Sequence, residues 1–212
     1  MLYCAIIGDI IGSRKLVDRH DVQQKFLAMA EKANRLYELD IASPFTVTIG
    51  DEFQVLLKSL QMTPRVIDHV IREMAPVQLV FGVGIGEIVT DINPTLAIGM
   101  DGPAFHFARA AIEQAKTKKP KIIYKSDIPG TDMINSLNYF MESCTGRSTK
   151  RQKEVLEYLS QDLTQEAIAE KLGIKQQSVF DIKKATYLSE VEDAKCTITL
   201  YLQDIGRLEK EL

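Results

Sequence analysis

Apolar residues recur along this chain with two periods, and the place where one period stops divides it. In the first part, short β-branched runs alternate with longer stretches at helical spacing. Tyr3 to Ile7 is an apolar run that meets Gly8 and then presents Asp9, which reads as a buried strand ending on a carboxylate. Val22, Phe26, Met29, Ala30, Ala33, Leu36 and Tyr37 follow at helical spacing, so a helix is predicted over 22–39 with Asp21 as its N-cap. Ser43-Pro44 breaks the chain before Thr46–Leu57, where two β-rich runs flank Gly50-Asp51-Glu52 and predict a hairpin tipped by Asp51 and Glu52. Thr63-Pro64 opens a second helix, with Val66, Ile67, Val70 and Ile71 on one face, ending near Met74. Val77–Val89 alternates as a strand, 103–115 reads as a helix, Lys116–Lys121 as a basic solvated turn, Ile122–Tyr124 as a strand and 133–141 as a helix. The order β-α-β-β-α-β-α-β predicts an α+β sandwich with helices on one face.

After about residue 142–147 the strand signals end and everything reads helical, so the predicted domains are 1–145 and 146–212. The second carries a helix through Gln152, Val155, Leu156 and Leu159, then Thr164 as N-cap of Gln165–Leu172, a Gly173-Ile174 turn, and a third helix from Gln176 to Lys184. A short Ala-containing helix, a Gly in the turn and an apolar residue just after it form the packing pattern of an all-α helix-turn-helix domain. Its candidate recognition surface is Lys175, Gln176, Gln177, Ser178, Asp181 and Lys184, since amides and lysines reach base edges and phosphates. Residues 147–184 hold eight Lys/Arg against six Asp/Glu, a net of only +2, so the packing pattern speaks for DNA more strongly than the charge does. From Ser189 the chain reads as one long helix suited to packing on the domain or pairing two chains.

Two features of the first part point to chemistry. A strand that delivers Asp9 beside the small-residue step Gly12–Ser13 and Arg14, and a hairpin that delivers Asp51, bring two carboxylates together if the hairpin pairs beside the first strand. Carboxylates held on rigid strands suit an octahedral oxygen site for Mg²⁺ or Mn²⁺. The glycines at 82, 84 and 86 are unusual inside a strand and mark close approach of a neighbour or a ligand. Arg109, on the 103–115 helix, could equally form a surface salt bridge or pair with Glu113 at helical spacing. Composition then sets the bounds. At 212 residues, 45% hydrophobic and 26% charged, the chain is an ordinary globular one, and its net charge of −3 supplies no global pull toward nucleic acid. Three scattered cysteines show no metal-ligand spacing and fit reduced thiols of a cytoplasmic protein. No apolar run reaches a membrane span, and Asp9 inside the N-terminal run argues against a signal peptide.

The segments GDIIGSRK, TIGDEFQVLL, FGVGIGEIVTDI and DGPAFHFARAAIEQAK resemble, in order and spacing, the SatD family of bacterial proteins. The first domain also resembles the ferredoxin-like palm of nucleotidyl cyclases. That resemblance implies metal-binding aspartates at Asp9 and Asp51, a phosphate-binding turn at Gly12, Ser13 and Arg14, a transition-state arginine at Arg109, and a homodimer. It also locates departures: Phe105 stands where cyclases carry an Asn, and Val47 and Ile98 where they read the base. Apolar side chains cannot hydrogen-bond a base edge or a ribose. The expectation is therefore a DNA-binding regulator whose cyclase-like domain binds a metal–nucleotide or other phosphate ligand without cyclising it. The alternative is a metal-dependent nucleotidyl or phosphoryl transfer enzyme that uses its helical domain for docking.

Overall fold

The computed structural model describes residues 1–13 and 18–211; Arg14 lies outside them. The chain divides into two compact units, Met1–Asn138 with Ile198–Leu212, and Tyr139–Thr197. The predicted boundary at 145/146 compares with a division inside a helix, and the chain's last residues return to the first unit. Tyr201 donates to the Pro129 carbonyl, and the N-terminal ammonium lies 3.0 Å from Glu209. No local pattern records contacts of that sequence separation.

The first unit is built on five strands, β1 (Tyr3–Ile10), β2 (Ile41–Ile49), β3 (Glu52–Leu57), β4 (Leu79–Gly86) and β5 (Ile122–Lys125), in the order β2-β3-β1-β4-β5. The pairs β2–β3, β3–β1 and β1–β4 are antiparallel, and β5 adds parallel to β4. With α1 (Arg19–Leu36) and α2 (Thr63–Met74), the first four strands make a β-α-β-β-α-β unit with the ferredoxin-like pairing. The parallel fifth strand requires a crossover, which α3 (Pro103–Thr117) supplies. β2 runs through Ser43-Pro44 where a break was predicted. As the edge strand it tolerates a proline, and its register shifts there. Helix α1 begins at Arg19, so Asp21 lies in its first turn and Asp18 is at the N-cap position.

Helices cover both faces of the sheet, not one. Alternation along the strands decides which residues meet which helix. Phe53 packs on Phe26 of α1, and Thr63 of α2 donates to Cys4 Sγ at 3.2 Å. On the opposite face Ala5, Ile7, Leu56 and Val80 form a core with Ala104, Ala108, Ala111, Ile112 and Ala115 of α3. The glycines of β4 belong to this second face. A Cβ at Gly82 would lie 2.3 Å from Ile112 N, and one at Gly84 2.0 Å from Ala104 O. The neighbour that the glycines admit is therefore the backbone of α3, seated on β4 through its alanines.

The second unit contains α5 (Lys150–Leu159), α6 (Gln165–Leu172) and α7 (Gln176–Ala185). Thr149 and Gln152 close a capping box on α5, and Thr164 caps α6. α6 ends on Gly173 in the left-handed region (φ 62°), a conformation that favours glycine. Val155, Ile168, Ala169 and Val179 form the core, with Leu159, Leu163, Leu172 and Ile182 packed around it. The helices α4 (Thr131–Thr145) and α8 (Leu188–Glu211) each run from one unit into the other.

Candidate functional site

Strand register brings the predicted carboxylates to one end of the sheet. Asp9, near the end of β1, is the cross-strand partner of Glu52, and the Ile10 amide donates to the Asp51 carbonyl at 3.0 Å. The hairpin thus pairs beside the first strand as expected, with Gly50 and Asp51 in its turn. Glu52 is not a tip residue. It is the first residue of β3, only 8% exposed, and it faces the same side as Asp9.

Each of the three carboxylates is engaged by a group within the chain. Ser13 Oγ, turned back by Gly12 (φ 67°), donates to Asp51 Oδ2 at 2.5 Å. Lys116 Nζ lies 2.7 Å from Asp9 Oδ2. Arg109 holds Glu52 through both guanidinium nitrogens, at 2.8 and 3.0 Å. Two sequence expectations are corrected here. Arg109 pairs not with Glu113 one turn on but with a glutamate 57 positions away. Lys116 is not part of a solvated turn: it lies in the last turn of α3 and reaches the end of β1. The positions 105, 109, 112 and 116 share one side of the helix, the side that looks along the sheet toward β1 and β3.

The electrostatics follow from this crowding. Burial, above all, pushes the Asp9 carboxyl above its usual range, Lys116 opposes the shift, and the neighbouring Asp51 and Glu52 charges add to it. The bond from Glu52 leads the causes that raise the Arg109 guanidinium. For Lys116, burial is the largest influence and lowers it, but the bond and charge of Asp9 and the Glu113 charge outweigh that and leave it raised. Elsewhere, burial pushes the Cys4 thiol up to about 12, against the bond from Thr63, so this cysteine packs rather than reacts.

Two aspartates holding Mg²⁺ or Mn²⁺ were expected. The residues present do not fit that arrangement as folded. Asp9 and Asp51 each have an oxygen committed, one to an ammonium and one to a hydroxyl. Among the described residues no group of three or more His, Cys, Asp or Glu side chains is placed to hold a metal ion. Octahedral oxygen sites need several such lone pairs directed at one point.

Beside the hairpin turn lies a cleft of about 410 Å³, lined by Ile10, Ser13, Asp51 and Gly50 and by Arg19, His20, Val22 and Gln23 of the first turns of α1. Arg19 and His20 precede the helix predicted over 22–39 and Gln23 lies within it, and none was singled out in the sequence. Only the turn of the chain after β1 shows that they meet Ser13. Val47, Ile98 and Phe105 do not line this cleft. Phe105 packs against the core under α3, and Ile98 is exposed. A second cavity of about 600 Å³ opens between α3, β5 and the start of α4, and none of the three carboxylates lines it. In the second unit Lys175, Gln176, Gln177, Asp181 and Lys184 are exposed and Ser178 is half-buried. Gln177 donates to Asp181 at 3.0 Å, one turn along α7.

A family model described as the SatD family matches residues 3–194. No curated protein matches the sequence. Among solved structures, two of a bacterial light-regulated adenylyl cyclase are similar to this chain. One is 13% identical with a TM-score of 0.42, over 63% of this chain and 44% of that one. The other is 14% identical with a TM-score of 0.41, over 64% and 79%. The catalytic core of a rhodopsin–guanylyl cyclase with converted specificity, in complex with ATPαS, is 14% identical with a TM-score of 0.40, over 58% and 76%. The chain spans under half the length of the first of these. No described helix is long and apolar enough to cross a membrane.

Proposed function

The chain belongs to the SatD family, and from that premise we propose that it is a cytoplasmic, homodimeric DNA-binding regulator whose sheet domain binds a phosphate-bearing ligand such as a nucleotide. The observation that carries the reading is the outward face of α7. α6 and α7 are joined by three residues with a left-handed glycine at the turn, and the core is built from Val155, Ile168, Ala169 and Val179. That leaves Lys175, Gln176, Gln177 and Lys184 pointing away from the core, with no acid in the first turn of α7. In a helix-turn-helix this is the segment that enters a major groove, where amides read adenine edges and lysines meet phosphates. A dimer suits a palindromic operator and doubles a modest charge.

The ligand half of the proposal places phosphate oxygens in the cleft between Ser13 and α1, where Arg19 and the amides of the helix start offer positive potential. A transfer enzyme is the weaker reading, because Arg109 and Asp9 are both engaged by partners inside the chain. Selection from a random duplex pool tests the DNA half. A recovered motif whose preference relaxes in Gln176→Ala/Gln177→Ala is expected, and binding that persists unchanged in that variant would count against α7. Lys184→Ala is expected to weaken all duplexes alike and to make the salt slope shallower by about 1.

A further inference from the structure

The two cations that α3 carries to the sheet have a consequence for what the site binds. Lys116 reaches Asp9 from a helix seated closely on β4. Added side-chain atoms at Gly82 and Gly84 would strike its backbone, so helix and strand are already at closest approach. Its ammonium, 2.7 Å from Asp9 Oδ2, occupies the cation position on that oxygen. Asp9 itself is largely buried, its side chain 17% exposed, so its charge needs a partner from within or from a bound ion. Glu52, the next carboxylate across the strands, is neutralised in the same way by the fork of Arg109.

We propose that Lys116 takes the place of the divalent cation at Asp9, so that this domain binds its phosphate ligand without Mg²⁺ or Mn²⁺. This rests on the phosphate reading above and departs from the metal that cyclase-like aspartates imply. A metal ion brought to Asp9 would face the ammonium at contact distance, and the repulsion between them disfavours it strongly in a half-buried site.

The test titrates MnCl₂ alone, followed by the loss of the free Mn²⁺ paramagnetic signal, into the wild-type chain, Lys116→Met, Lys116→Arg and Lys116→Met/Asp9→Asn. Calorimetry with sodium tripolyphosphate, in EDTA and in Mn²⁺, is run beside it. Lys116→Met is expected to gain Mn²⁺ affinity by about a hundredfold, Lys116→Arg to gain none, and the double variant to lose the gain. Wild-type binding of tripolyphosphate is expected to be the same in EDTA as in Mn²⁺. Wild-type Mn²⁺ affinity equal to that of Lys116→Met would overturn the proposal, and so would tripolyphosphate binding that requires Mn²⁺. If tripolyphosphate binds under neither condition, the phosphate reading of the domain fails. The Mn²⁺ titration still decides the role of Lys116, and micromolar Mn²⁺ binding by the wild-type chain would overturn it even if a variant folds poorly.

Discussion

Substituting alanine for glycine along β4 perturbs a contact that helps to position both Arg109 and Lys116. At Gly84 the new Cβ would lie 2.0 Å from Ala104 O and 2.3 Å from Ala108 N. Ordinary contact begins near 3.4 Å, so helix and strand must part by about 1.4 Å. The atoms in the way are backbone and cannot rotate aside. Overpacking of this kind costs about 1–3 kcal/mol when side chains can adjust; with a helix backbone opposed, about 3 kcal/mol or more is expected. Gly82 should behave alike, because its Cβ would meet Ile112 N at 2.3 Å and Ala108 O at 2.4 Å. Gly86 should cost less, since its nearest clash is 2.8 Å. Gly50, with nothing within 4 Å, is the internal control and should change stability by under about 0.5 kcal/mol. Urea unfolding of the four variants reads this series as shifts in midpoint at constant slope. Gly84→Ala within about 0.5 kcal/mol of wild type would refute the close seating of α3, and with it the placement of Lys116 at Asp9.

Three further outcomes follow from other contacts. Arg109→Ala leaves the buried Glu52 charge without its fork and should cost about 1–3 kcal/mol, less than for a fully enclosed pair because Arg109 is half exposed; adding Glu52→Gln should recover most of it in the same unfolding assay. His69 is 6% exposed and its Nε2 has no hydrogen-bond partner, and burial lowers its pKa. The unfolded state then binds the proton first, so stability is intact above about pH 6.5 and falls as pH drops below it. His69→Phe should remove that part of the slope, which for one proton is at most about 1.36 kcal/mol per pH unit, and an unchanged pH profile would dismiss it. Thr149→Ala removes the capping box of α5 and should cost about 1 kcal/mol, measurable as a lower melting temperature; no change would mean that solvent replaces the cap.

Much of the architecture was legible before the structure. An apolar run located β1 and β-rich runs the β2–β3 hairpin because strand patterning is a local property, α2 begins at the Thr63-Pro64 step, and α6 lies between Thr164 and Gly173. Pro44 misled, because whether a proline ends a strand depends on whether that strand is an edge. The site was half legible. Asp9 stands near the end of a recognisable strand and Ser13 and Asp51 in recognisable turns, and the three come to one end of the sheet. Glu52 and Lys116 were passed over as a hairpin tip and a basic turn. The clue lay in spacing, since Glu52 shares the face of Asp9 only in one register and Lys116 follows Arg109 by two helical turns.

The sequence by itself determined most of the elements and their order, because propensity, capping and periodicity act over a few residues. It also marked the alternate glycines of β4 as a place of close approach, and left open whether a neighbour or a ligand approaches there. What only the tertiary structure decided is the pairing of charges. Which carboxylate meets which cation depends on strand register and on where α3 comes to rest. Lys116 with Asp9 and Arg109 with Glu52 span separations that no short-range rule encodes. A site that reads as two metal aspartates along the chain becomes, once folded, a set of carboxylates already matched by the protein's own donors.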